Sequence, residues 1–91
     1  TAPMPAYAAE HAGPTNDPAT PFEHIAFTLP YNMSEQPAAS INCGYTAAGL
    51  PIGLQIVGQR FDDLGVLQVA RAYERMRPAQ RAWPQPPART D

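Results

Sequence analysis

The sequence predicts an α/β unit, a β-hairpin followed by one amphipathic helix, that is incomplete in this chain. Three observations predict it. Residues 37–58 form two short apolar runs around a glycine-bearing turn, the pattern of paired strands. From Asp62 the apolar period changes to that of a helix. The 12 prolines gather mainly at the two ends of the 91 residues, which leaves a foldable part shorter than the chain. The division that follows is a Pro/Ala-rich linker or loop at 1–21, a folded part at 22–78 and a Pro-rich tail at 79–91.

In the linker, Met4 and Tyr7 are the only sizeable apolar groups, and Pro3, Pro5, Pro14, Pro18 and Pro21 forbid a helix interior or a central strand. Next, Phe22, Ile25, Ala26, Leu29 and Met33 recur at steps of three and four, which predicts a short helical turn. It should end before Pro30, because the residue preceding a proline is pushed out of the helical region. The first strand is expected across 37–44 and the second across 50–58, joined by Thr46-Ala-Ala-Gly49, where glycine is free to take positive φ. Alternation puts Ile52, Leu54 and Ile56 on a firmly apolar face, and Gly53, Gln55 and Val57 on one with a lone polar group.

The helix should begin at Asp62-Asp63, where a carboxylate accepts from free amides and meets the positive end of the macrodipole. Leu64, Leu67, Ala70 and Tyr73 or Met76 are expected on its buried side, and Pro78 ends it. Ile52, Leu54, Ile56, Leu67 and Tyr73 are assigned to packing. Trp83 is the expected anchor of the tail.

Composition narrows function mostly by exclusion. Eight acids against six bases, with no block of one sign, give no reason to expect nucleic acid as a partner. No apolar run reaches the roughly 20 residues of a membrane helix, and no signal pattern opens the chain, so no membrane is expected. Cys43 is the single cysteine and cannot close an intramolecular disulfide, which fits a reducing compartment and a cytoplasmic location. A chain that starts on Thr1 reads as a cut segment of something larger.

All six bases are arginines, so a Ser-Lys pair cannot form here. Ser34 and Ser40 are the only serines, and neither stands in a G-x-S-x-G elbow. Ser34 suits a cap or turn, and Ser40 an ordinary strand position bonded to backbone. His11 lies in the linker and His24 beside Glu23, each better suited to surface or capping roles than to catalysis. Cys43 reads as a small buried hydrophobe. One cysteine and two distant histidines make no metal site, and the glycines form no phosphate cradle, so no cofactor is expected.

Three runs remain: FTLPYNMSEQPAASINCG at 27–44, GLPIGLQIVG at 49–58, and FDD at 61–63 with the helix to Glu74. Together they closely resemble the C-terminal end of amidase signature enzymes, as do the Arg77-Pro78 and Trp83-Pro84 pairs. Two positions depart from the family pattern: Glu35 stands where glycine is usual, and Asn42 where proline is usual. The resemblance implies a mixed sheet covered by helices and amide hydrolysis through a Ser-cisSer-Lys triad. None of that triad maps onto these residues, so this chain alone should be inactive. It also implies that residues 28–36 lie toward the substrate pocket, with Phe27, Tyr31, Asn32 and Gln36 helping to shape it.

The implied partners are the remainder of the amidase polypeptide, or a second copy paired through an exposed strand edge, and a small amide substrate in the full enzyme. Among subfamilies, the glutamine-using subunit of the tRNA-dependent amidotransferase commonly carries an aspartate three residues before the equivalent of Thr28. Ile25 stands there. A general amidase acting on a less charged amide is the first reading and the amidotransferase subunit the second. A third is a non-catalytic binding or oligomerising domain.

Overall fold

The computed structural model describes residues 6–90. Thr1, Pro3, Met4 and Pro5 of the expected linker, and Asp91, lie outside the described residues. Strands β1 (Ala38–Tyr45) and β2 (Pro51–Val57) pair antiparallel, with Ala38 opposite Val57 and Ser40 opposite Gln55. The five-residue connection closes because the Thr46 N–H donates to the Leu50 carbonyl at 2.8 Å and the Gly49 N–H to the Thr46 carbonyl at 2.9 Å. Gly49 has φ +87°, which a side chain would strain.

The pairing slips by one residue between Asn42 and Gly44, leaving Cys43 as the extra residue of a β-bulge. A bulge leaves backbone groups without their ladder partners, and here the Asn42 amide serves them. Its Nδ2 donates to the Gly44 carbonyl and its Oδ1 accepts from the Gly44 N–H, both at 3.2 Å. Proline, usual at this position in the resembled family, can do neither.

Helix α2 (Asp63–Met76) starts as its acids predict, with Asp62 Oδ1 accepting from the Gly65 N–H at 3.0 Å. Its C-terminus is fixed by the Arg77 N–H donating to the Tyr73 carbonyl at 2.9 Å, and Arg77 turns extended before Pro78. The face laid on the hairpin differs from the expected one. Val66 is the only buried apolar side chain among the described residues, at 4 % exposure, and Ala70, Tyr73 and Arg77 continue its stripe half-buried. Leu64 and Leu67 stay 67 % and 62 % exposed, so Leu67 does not pack here. The sequence carries two apolar stripes on α2, and the hairpin covers one.

Other expectations also need correcting. Residues 22–29 do not make a helix that stops at Pro30. A 3₁₀ turn (Glu23–Ile25) comes first, and helix α1 (Leu29–Ser34) then takes Pro30 into its first turn, where the missing N–H has no intrahelical partner to lose. Phe22 and Met33 are strongly exposed, and Ile52, assigned to packing, is exposed at the far end of the hairpin. Ser40 stands exposed on β1. Trp83 does not anchor the tail, being 89 % exposed. Arg81 does: its guanidinium stacks 4.2 Å from the centre of the Tyr45 ring and lies 3.5 Å from the Gly49 carbonyl. None of the described helices is long and apolar enough to cross a membrane.

Candidate functional site

The loop singled out from the sequence, residues 28–36, together with Phe27 before it, is built around α1. Thr28 precedes the helix and donates its hydroxyl to the Ile25 carbonyl at 3.3 Å, joining the 3₁₀ turn to the helix start. The helix ends where Glu35 adopts φ 59° and ψ 26°, and the Gln36 N–H reaches back five residues to the Tyr31 carbonyl at 3.2 Å. That left-handed end is the conformation glycine favours. It gives a physical reason for the glycine usual here in the resembled family.

Three attachments hold this loop to β2 and the turn after it. Gln55 donates from Nε2 to the Phe27 carbonyl at 3.1 Å, across 28 residues of sequence. Gln36 donates from Nε2 to the Gly58 carbonyl at 3.0 Å, and the Ser34 hydroxyl, 2.9 Å from Gln36 Oε1, turns that amide the right way round. Glu35 and Arg60 pair at the surface. A backbone bond from the Gly58 N–H to the Pro37 carbonyl, 3.0 Å, closes the same corner.

The loop therefore presents its residues unequally. Phe27 is 43 % exposed, Asn32 is exposed, and Tyr31 is half-buried. Gln36 is half-buried, and one of its amide N–H groups is committed to Gly58. Sequence reading singled out Phe27, Tyr31, Asn32 and Gln36 and missed Gln55, which it read as a lone polar residue on a strand. Gln55 is the most buried polar side chain described, at 7 % exposure. The signal was there: an amide among Leu54, Ile56 and Val57 must find an acceptor if it is covered.

Among the described residues no serine stands beside a histidine base. Ser34 bonds to Gln36 and to the Tyr31 carbonyl, Ser40 lies on β1, and His11 and His24 are both exposed. Cys43 occupies the bulge, half-buried. Among the described residues no three His, Cys, Asp or Glu side chains come close enough to hold a metal ion. A cleft of about 590 Å³ opens between the tail and the hairpin, lined by Tyr45, Arg77, Arg81 and Trp83 among others. None of residues 27–36 lines it, so it is separate from the candidate loop.

Against known families, the Amidase family model matches residues 1–67, which takes in the stretch read from sequence as linker. Among curated proteins, the chain is 45 % identical over 75 residues to a glutamyl-tRNA(Gln) amidotransferase subunit of Myxococcus xanthus, covering 82 % of this chain and 15 % of that protein. It is 40 % identical over 84 residues to the corresponding protein, of the same name, from Thermodesulfovibrio yellowstonii, covering 92 % and 17 %. To that of Pseudothermotoga lettingae it is 46 % identical over 78 residues, covering 86 % and 16 %. The chain thus spans about a sixth of the length of these curated relatives. No solved structure matches it.

Proposed function

This chain belongs to the Amidase family, and from that we propose that it is the C-terminal part of an enzyme that hydrolyses carboxylic amides. In this reading it completes the sheet and one wall of the substrate pocket, while the Ser-cisSer-Lys triad stands on the remainder of the polypeptide. The observation that carries the reading is the loop at 27–36, held to β2 at one end and to Gly58 just beyond it at the other, with Phe27 and Asn32 left open to solvent. A wall of this kind contributes affinity and orientation rather than bond cleavage. The lack of lysine in all 91 residues agrees with a triad supplied from elsewhere. A cytoplasmic location belongs to the same reading, supported by the single cysteine.

The substrate we propose is an amide without an ammonium group. Ile25, half-buried beside Thr28, offers no carboxylate at the position where a glutamine-using subunit commonly has aspartate. A second reading, the amidotransferase subunit, is favoured by the names of the similar proteins above. Ammonia release by the full gene product separates the two. A neutral amide used at least tenfold better than glutamine, with Ile25→Asp shifting that ratio toward glutamine, supports the first. Preference for glutamine by the unaltered protein supports the second, and no release from any amide sinks both. Tyr31→Ala and Asn32→Ala test the wall itself: each is expected to raise KM severalfold to tenfold without lowering the thermal midpoint by more than a few degrees.

A further inference from the structure

We propose that Gln55 is a positioning residue for amide hydrolysis, setting the place of the substrate loop from inside β2. The inference rests on the reading above that residues 27–36 meet the substrate. Gln55 touches no reacting atom. It acts through the Phe27 carbonyl, which accepts from its Nε2 at 3.1 Å at the junction between the 3₁₀ turn and α1.

The argument begins with cost. Burying an amide is unfavourable unless its donors are met, and Val57, the next residue on the same face of β2, is apolar. An apolar residue at position 55 would spare that cost and would leave the Phe27 carbonyl without this donor. The far end of the loop has two attachments of its own, Gln36 to the Gly58 carbonyl and Glu35 to Arg60. Its near end is joined to β2 through Gln55. Because α1 starts two residues after Phe27, a displaced Phe27 backbone carries Tyr31 and Asn32 with it. A small shift of this kind weakens substrate affinity more than it lowers stability.

The test uses the full gene product with Gln55→Met and Gln55→Glu. Gln55→Met keeps the length and removes the donor. It is expected to raise KM for the amide about tenfold with kcat within threefold, and to speed hydrogen exchange at residues 27–34 while α2 exchanges as before. Gln55→Glu has no donor when ionised and regains one when protonated. Its KM relative to that of the unaltered enzyme at the same pH should therefore fall as pH is lowered. An unchanged KM, or equal loss of protection in α2 and the loop, would overturn the proposal, the second by reducing Gln55 to general packing. Should Gln55→Met fail to fold, the Glu variant compared at two pH values decides by the same criteria. If the unaltered product hydrolyses no amide, the reading of function fails. The exchange pattern still judges the attachment: loosening confined to residues 27–34 supports it, and none refutes it.

Discussion

Glu35 holds φ 59° and ψ 26°, and an L side chain in that region costs about 1–2 kcal/mol. Its surface pair with Arg60 returns little, since exposed pairs are worth roughly 0–1 kcal/mol. Comparing Glu35→Gly with Glu35→Ala removes the pair from both and leaves only the backbone term. The glycine variant should be the more stable by about 1 kcal/mol in denaturant unfolding of the full gene product. Equal stability would mean that the left-handed end of α1 is not formed. Asp62 is a second residue whose role is local. Asp62→Ala removes the acceptor of the Gly65 N–H and should cost about 1 kcal/mol, with Asp62→Asn close to neutral. Asn42 shows how a departure from a family pattern can have its own logic, because its amide meets both the N–H and the carbonyl of Gly44 at the bulge.

The elements were unequally legible from sequence. The hairpin and α2 could be read because alternation and helical period are strong signals there, and because Gly49, Asp62 and Pro78 punctuate them. Helix α1 was misplaced because a proline can stop a helix or sit in its first turn, and nothing near Pro30 in the sequence decides between the two. The packed side of α2 was misjudged because Leu67 and Val66 both belong to apolar stripes, and only the approach of the hairpin selects one. Of the candidate site, the place of the loop along the chain was legible. Its attachments through Gln55 and Gln36 were not, since each bond spans more than twenty residues of sequence. The seat of α2 on the hairpin can be tested at Gly58. A Cβ there would lie 2.6 Å from Val66 Cγ2 and 3.4 Å from the Asp62 carbonyl oxygen. Val66 is buried and stiff at χ1, so Gly58→Ala should destabilise by about 1–3 kcal/mol. Adding Val66→Ala should make the double variant more stable than the sum of the two single effects. Simple additivity in that cycle would place α2 elsewhere.

Across the whole molecule the surface is too large for the mass. A folded monomer of 9.8 kDa exposes about 5,200 Å² by the usual scaling, and this chain exposes 7282 Å². Its radius of gyration, 16.0 Å, exceeds the roughly 12 Å expected of a compact 91-residue domain. The excess exposure includes the outer stripe of α2 with Leu64 and Leu67, and the side chains of Phe22, Phe61 and Met76. Among the described residues the sheet has two strands, and neither outer edge carries a further strand, which invites another. With Val66 the single buried apolar side chain described, the area withdrawn from water is small against the conformational entropy of ordering the chain. The isolated 91 residues should therefore lack a cooperative monomeric unfolding transition. They should run in size exclusion as an expanded or self-associated species, and should release no ammonia from any amide. Light scattering coupled to the column, with thermal circular dichroism on the same fractions, checks the first two expectations. A compact 9.8 kDa monomer with one sharp transition would show that the outer faces need no cover. The proposal that they lie against the remainder of an amidase polypeptide would then lose its main physical support.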